Sequence, residues 1–458
     1  MWSGCLNARD IGGLPTRYGV PTRSGTVLRT DSPDNLDDDG RTAFLAAGAG
    51  LVLDLRSDWE ITQPHRLDGS ASYRRIPWID PAAEGHRDPA AEPLLADIYR
   101  GSLDRNKAQI AKAFRALLAA PADAPVVVHC TSGKDRTGLL IALWLDLVGV
   151  PREAIATDYA ASEERLGILA QLAELPADER PAAEILSRTL PSTILDALDH
   201  VDRSHGGVRS YLVLCGLTAR EIHRLAVRLL PVDVKAVVFD FDGLLMDTET
   251  TMVESWRSEW AHHGLELGLE DFWPGHGGDI TEIRYQVLAA AVGAGFDRAA
   301  SHARRTAHRD RMHAELDFRP GIREWLGAAR ELGLAIAIAS SSPRPWVRGH
   351  LERVGAIDLF DHIVTGDEVA THKPDPAIYA LALRRLGVPG AEAIAVEDTA
   401  HGVAAAQAAG MFAVAIPNPF VTEAAVAGAD LVLGSADQLL LSELLLSAAS
   451  KGSMLVTE

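Results

Sequence analysis

The sequence predicts an α/β protein in two parts, the second a doubly wound parallel sheet with a helical insertion. A valine run, Val126 to Val128, ends at His129 and gives way to a glycine-containing basic loop and an apolar helical stretch. That is the strand–loop–helix order of an α/β unit. Pro231 stops a helix, and the apolar run Val234 to Phe239 then starts afresh, as a buried parallel strand does. After it, apolar strands alternate with helices down the chain, the pattern of a doubly wound sheet.

In the first half, "LVLDL" (51–55) and "VVV" (126–128) read as short strands, and 104–119 as a helix. Helical periodicity resumes after Gly138 and runs in pieces to about Leu230, where the apolar repeat matches 3.6 residues per turn. The expected domains are 1–230 and 231–458. In the second, "LAIAIAS" (334–340), "HIVTG" (362–366), "AIAVED" (393–398) and "FAVAI" (412–416) are expected strands. A mostly helical insertion at about 246–318 interrupts them, and the tail "KGSMLVTE" reads as frayed.

With 458 residues, 47% of them hydrophobic, the chain has material for two large cores or three smaller ones. A net charge of −19 argues against a nucleic-acid or anionic-membrane binder, while a local basic loop can still hold an anionic substrate. Cys5, Cys130 and Cys215 are odd in number and widely spaced, with no CxxC pair. This predicts neither a disulfide framework nor a zinc site, and points to a reducing cytosol. The N-terminal "MWSGCLNARDIGG" lacks a signal-peptide pattern. The longest apolar stretch, 139–150, carries Asp146 and is too short to span a bilayer. The expectation is a cytoplasmic protein with no membrane span.

The loop Cys130-Thr131-Ser132-Gly133-Lys134-Asp135-Arg136 is followed by Thr137 and Gly138. Backbone N–H groups of such a loop at a helix N-terminus form an anion cradle. Lys134 and Arg136 add positive field, which favours the thiolate of Cys130. A thiolate beside a bound phosphate monoester is a nucleophile for phosphoryl transfer, and Arg136 can clamp two phosphate oxygens in a fork. The alternative is a loop whose cysteine merely packs. The loop resembles that of the cysteine-dependent tyrosine-phosphatase-like superfamily, and its Gly-Lys-Asp-Arg-Thr version resembles bacterial members that accept phosphotyrosine and, in some cases, phosphoinositides. "NARDIGGLPT" (7–16), "VLRTDSPDNL" (27–36) and "LVLDLRSDWE" (51–60) extend the resemblance over roughly 5–160. It implies a tyrosine-phosphatase-like α/β domain without a cofactor. Cys130 would be nucleophile and Arg136 the transition-state clamp. Thr131, Ser132, Gly133, Lys134 and Asp135 would form the cradle, with Thr137 among the phosphate-binding residues. Lys134 and Asp135 fall where the family tunes substrate choice, and a basic Lys134 favours substrates with additional phosphates. A general acid is needed on a separate loop. In "IPWIDPAAEGHRDP" (76–89) the candidate is Asp80, with Asp88 behind it, though either can be an ordinary turn aspartate.

The second half opens "VVFDFDGLLMDTE" (237–249). Asp240 and Asp242 alternate with phenylalanines, so both carboxylates leave the strand's end on one side. Two convergent carboxylates call for a cation, and oxygen ligands select Mg²⁺. A lone pair of this kind is often a turn or a solvated strand end. Here Ser340, Lys373 and Glu397-Asp398 follow in order, supplying a hydroxyl and an ammonium for phosphate and a further carboxylate for metal. The stretch 233–440 resembles the haloacid-dehalogenase superfamily, in the branch with beta-phosphoglucomutase and small-molecule phosphatases. The resemblance implies a Rossmannoid domain with a helical cap. Asp240 would be the nucleophile forming an aspartyl-phosphate and Asp242 the general acid and base. Ser340 and Lys373 would hold the phosphoryl group, and Mg²⁺ would lie on Asp240, the Asp242 carbonyl, Asp398 and Glu397.

The insertion would be the cap that selects substrate. Its "SHARRTAHRDRMH" (301–313) reads as a solvated helix face sooner than as phosphate contacts, and Trp256, Trp260 and Trp273 as cap core. "WPGHGGDI" (273–280) departs from the Arg-bearing cap loop expected of a sugar-phosphate mutase, which favours hydrolysis. The expected function is therefore a bifunctional phosphatase acting on small phosphate esters such as sugar phosphates, with phosphotyrosine or phosphoinositide as further substrates of the first half. Two alternatives stay open: a beta-phosphoglucomutase-like mutase in the second half, and one half acting as a non-catalytic phosphate-binding module.

Overall fold

The structure, a computed structural model, describes residues 2–61, 72–85, 87–231, 234–272 and 280–448. The chain divides into two compact units, one running to Asp233 and the other from Val234 to Leu445.

The first unit is built on strands β1 (Arg9–Asp10), β2 (Val27–Thr30), β3 (Leu51–Asp54), β4 (Tyr73–Arg75) and β5 (Val126–His129). They form one sheet in the order β1-β2-β5-β3-β4. Only the β1–β2 pair is antiparallel. The central strands β2, β5 and β3 are buried along their whole length; β5 and β3 read as apolar runs for that reason, while β2, interrupted by Arg29, was not read as a strand. Their register aligns Thr30, His129 and Asp54 at the carboxyl ends. The loops that follow, carrying Asp31, Cys130 and Arg56, therefore leave the sheet side by side, where an open α/β sheet binds its ligand.

The helix after β5, Asp135–Leu147, begins two residues ahead of Thr137 and is buried from Leu139 to Leu145. Trp144 packs edge-on to Phe114 at 6.0 Å and donates its indole N–H to the Leu225 carbonyl. The helix expected over 104–119 is in fact two, Leu95–Arg105 and Lys107–Ala119, parted at the buried Asn106.

The second unit has β6 (Ala236–Phe239), β7 (Ala335–Ser340), β8 (His362–Thr365), β9 (Ala393–Glu397), β10 (Phe412–Ala415) and β11 (Leu431–Val432). All pair in parallel, in the order β11-β10-β9-β6-β7-β8. β6 is central, with β7 and then β8 on one side and β9 on the other. The chain thus reverses its direction of travel across the sheet beside β6, and the crevice this opens is the ligand site of doubly wound folds.

Between β6 and β7 lie helices Thr248–His262, Leu269–Phe272, Thr281–Val292 and Arg298–Glu315. They enclose a small core of Val253, Trp256, Phe272, Tyr285 and Leu288, against which Trp260 packs. Trp273 and 274–279 lie outside the described residues. The Arg298–Glu315 helix is not simply a solvated face. Arg305 is buried, lies 4.3 Å over Trp256 and donates to the Tyr285 hydroxyl at 2.9 Å. Among the described residues, no helix is long and apolar enough to cross a membrane.

Candidate functional sites

At the end of β5 the backbone must turn at once to start the Asp135–Leu147 helix. Gly133 makes this possible: its φ is +64°, and a Cβ there would lie 2.1 Å from the Thr30 carbonyl oxygen. Only glycine allows both that conformation and that approach. Cys130 lies beneath the loop, 1% exposed. The Arg136 guanidinium, raised above its ordinary range, feels burial first, then hydrogen bonds with Glu60, and then the charge of Cys130.

Arg136 is forked onto Glu60, Nη1 to Oε2 and Nη2 to Oε1, the second at 2.7 Å. Thr131 Oγ1 also donates to Glu60, at 2.8 Å. Burial works against the Glu60 carboxylate, but the Arg136 and Thr131 donors and the Ser57 N–H hold its pKa at about 2. The loop is braced from behind as well. Arg29, 1% exposed, donates to the Gly133 carbonyl at 2.7 Å, and Asn7 Nδ2 to that of Ser132 at 2.9 Å. Asp158 then holds both Arg29 and Arg9, at 2.5 and 2.7 Å.

The remaining loop residues divide. Thr137 Oγ1 is buried and has no hydrogen-bond partner among the described residues. Lys134 is 6% exposed and its ammonium donates to the carbonyls of Ser187 (2.8 Å) and Leu186 (3.3 Å). Asp135 accepts from the Tyr99 hydroxyl at 2.6 Å. Asp80 caps the helix Pro81–Glu84, accepting from the Ala82 N–H, while its own N–H donates to Asn106. Asp88 likewise caps the turn Pro89–Ala91. Among the described residues no hydrogen bond joins Asp80 to the 130–136 loop.

At the end of β6, Asp240 is buried and Asp242 half-buried. The ammonium of Lys373 bonds Asp240 and lies 2.6 Å from Glu397 Oε1, and Tyr379 donates to that same oxygen at 2.5 Å. Asn418 donates to Asp398 at 2.7 Å. Four donors converge on Asp242: Thr248 and the Trp346 indole on Oδ1, each at 2.9 Å, and Ser342 (2.7 Å) and Ser340 (3.4 Å) on Oδ2. Gly243, at φ +74°, sits where a Cβ would be 2.1 Å from Asp398 Oδ2.

The buried Asp240, Glu397 and Asp398 bring ligand oxygens within 4.8 Å of one another. Burial pushes the carboxyls of Asp240 and Asp398 up, and their neighbours' negative charges push further, while Lys373 opposes both. Three carboxylates against one ammonium is a surplus of negative charge, and an all-oxygen donor set suits a hard divalent cation. The residues therefore fit Mg²⁺. Close by, burial and the charge of Asp242 lift Glu249 to about 7, and its Oε2 has no hydrogen-bond partner among the described residues.

Sequence reading did not single out Glu60, Arg29, Asp158, Ser342, Trp346, Tyr379 or Asn418. For Glu60 and Arg29 the signal was present, since both lie in stretches that carried the family resemblance, "LVLDLRSDWE" and "VLRTDSPDNL". For the rest, nothing local marks the partner.

Residues 1–231 match the tyrosine phosphatase family and residues 237–416 the haloacid dehalogenase-like hydrolases. The Triple specificity protein phosphatase PtpB of Mycobacterium tuberculosis is 28% identical, over 48% of this chain and 95% of its own length. Phosphorylated carbohydrates phosphatase of Thermotoga maritima is 35% identical over 39% of this chain and 82% of its own. Protein CbbY of Cereibacter sphaeroides is 32% identical over 44% and 92%. A thiol in a basic loop and a carboxylate cluster on a parallel sheet thus fall in two separate families, and the chain belongs to the tyrosine phosphatase family through its first half and to the haloacid dehalogenase-like hydrolases through its second, both of them phosphatase families.

Proposed function

We propose that the protein hydrolyses phosphate monoesters at both sites, through a cysteinyl-phosphate at Cys130 in domain 1–230 and an aspartyl-phosphate at Asp240 in domain 231–458. One shared observation supports this. Each nucleophile is buried at the carboxyl end of a central parallel strand, with a positioned cation beside it, Arg136 for Cys130 and Lys373 for Asp240.

In the first site the Cys130 sulfur attacks phosphorus as the ester P–O bond breaks. The leaving oxygen takes a proton from Asp80, the candidate acid. Water then displaces the thiolate, releasing inorganic phosphate and returning a proton to Asp80. The backbone N–H groups of 131–135 hold the equatorial oxygens, joined by Arg136 once its fork turns from Glu60 to the phosphate. Because Lys134 is committed to the carbonyls of Leu186 and Ser187, the favoured substrate is a simple monoester such as phosphotyrosine over a multiply phosphorylated lipid headgroup.

In the second site a carboxylate oxygen of Asp240 attacks phosphorus. Asp242, oriented by its four donors, protonates the leaving oxygen and then takes a proton from the hydrolytic water. Ser340 and Lys373 hold the phosphoryl oxygens. Asp240, Asp398, Glu397 and the Asp242 carbonyl would hold Mg²⁺, which neutralises charge between nucleophile and phosphate. The name of the Thermotoga maritima relative supports a phosphorylated carbohydrate as substrate. Glu249 is placed to bond a sugar hydroxyl.

The test is an assay of an aryl phosphate and a panel of sugar phosphates with wild type, Cys130→Ser, Asp240→Asn and the double variant, each with Mg²⁺ or EDTA. EDTA is expected to remove only the activity that Asp240→Asn removes. Full turnover by Asp240→Asn, or a full set of activities in Cys130→Ser, would overturn the corresponding assignment.

A further inference from the structure

Away from both phosphate sites, the first unit carries a second constellation with ligand geometry. Asp104 lies near the end of the helix Leu95–Arg105, and His200 and His205 near the end of the helix Pro191–His205. Both imidazoles turn Nε2 to the same carboxylate, His200 to Oδ2 at 2.9 Å and His205 to Oδ1 at 2.8 Å. One ligand atom from each of the three residues lies within 4.8 Å of the other two. The His200 and His205 side chains are only 19% and 14% exposed.

We propose that Asp104, His200 and His205 form a binding site for a borderline transition metal such as Zn²⁺, clipping the two helices together. Two imidazole nitrogens and one carboxylate, with a fourth position left to water, are a donor set that Zn²⁺ takes in preference to Mg²⁺. The expectation of no zinc site is drawn from the cysteines, and this site uses no sulfur.

Orienting contacts surround the ligands. Ser204 Oγ lies 3.3 Å from His200 Nδ1, so with the proton on Nδ1 the Nε2 lone pair faces the metal. The His205 ring packs against His200 (5.7 Å) and Tyr211 (5.2 Å), which restrains its rotation. Both helices also end here, so their C-terminal dipoles favour a cation. The opposing group is Lys107, whose ammonium lies 3.2 Å from Asp104 Oδ1 and donates to the Asp104 carbonyl at 3.0 Å. That carbonyl can retain it when a metal takes the carboxylate.

The clip would steady a helix that reaches towards the thiol site. Its Tyr99 donates to Asp135 and its Ser102 accepts from Trp78, while Asn106, directly after it, holds the Asp80 N–H. The site is thus a structural one, acting through placement of those residues.

The test uses tag-free full-length protein carrying Cys130→Ser and Asp240→Asn, so that neither phosphate site competes for metal. After Zn²⁺ loading and desalting, metal per chain is measured, with Co²⁺ visible absorption as a second readout. One equivalent of zinc is expected to stay, and to be lost on adding either His200→Ala or His205→Gln, together with the Co²⁺ ligand-field bands. Lys107→Ala should tighten zinc several-fold. Equal unfolding midpoints of parent and variants in EDTA identify a loss of zinc as a loss of ligand. Retention of zinc by both histidine variants, no retained zinc in the parent, or zinc loss only in variants whose EDTA midpoint has fallen would overturn the site.

Discussion

Around Cys130 the charges close within the protein, whereas around Asp240 they do not. Arg136 is forked onto Glu60, and behind the loop Asp158 pairs with Arg9 and Arg29. Arg136, Glu60, Asp158, Arg9, Arg29 and Lys134 each have protein partners that hold the loop in place. At the second site Asp240, Glu397 and Asp398 face one ammonium, Lys373, and burial, with the neighbouring negative charges behind it, raises both aspartates. Under the proposed function, the difference gives a reason for two sites acting on one kind of bond to need different conditions. On that proposal, a loop that closes its own charge would work without metal, while a carboxylate cluster would need a cation before a phosphate dianion approaches.

The largest effect expected is at the nucleophiles. Cys130→Ser and Asp240→Asn should each lower its own activity by about 10⁴-fold or more, the scale of losing a covalent nucleophile, and leave the other unchanged. Loss of both activities in either single variant would break the comparison. Next comes metal removal. EDTA should cost the Asp240 activity about 10³-fold, as expected when several kcal/mol of charge stabilisation go, with no effect on Cys130 turnover. Steady-state rates before and after Mg²⁺ is restored measure this.

A third test addresses the bracing. Asp158→Ala leaves Arg9 and Arg29 buried without their carboxylate and should destabilise the first unit by about 3–5 kcal/mol, read as a shift in its denaturant unfolding transition. The second unit's transition should stay in place. The smallest effect concerns Glu60, whose carboxyl sits at about 2 in the folded state against an ordinary 4.5. A depressed carboxyl contributes stability that is full above about pH 4.5 and is lost as pH falls through about 2. The stability gap between wild type and Glu60→Gln should therefore be constant from pH 7 to 5 and shrink on acidification. A gap that grows on acidification would mean that Glu60 does not hold Arg136 as a carboxylate.

Cys130 and Asp240, the proposed nucleophiles, stand out in the sequence because each sits in a short contiguous motif at a strand end, where spacing alone sets direction. The strands of the second unit were legible for a related reason: buried on both faces, they read as unbroken apolar runs, and four of them were placed to within a residue. The short edge strands β1, β4 and β11 lack that run and were not read. Lys134 shows the limit within a motif. As a basic residue in an anion loop it reads as a substrate contact, yet its ammonium is satisfied by carbonyls from residues 186 and 187, and no local pattern announces that.

By itself, then, the sequence determined two α/β units, a thiol in a glycine-turned basic loop, and a carboxylate pair at a strand end followed in order by hydroxyl, ammonium and acid. These are properties of local spacing and periodicity, which backbone geometry converts directly into direction. The tertiary structure alone decided what holds the reactive groups: Glu60 on Arg136, Asp158 on two buried arginines, Trp346 and Ser342 on Asp242, and Tyr379 beside Lys373. All but Tyr379, six residues from Lys373, come from distant stretches of chain. The cost of burying an unpaired charge selects them, and that selection acts only once the chain has folded.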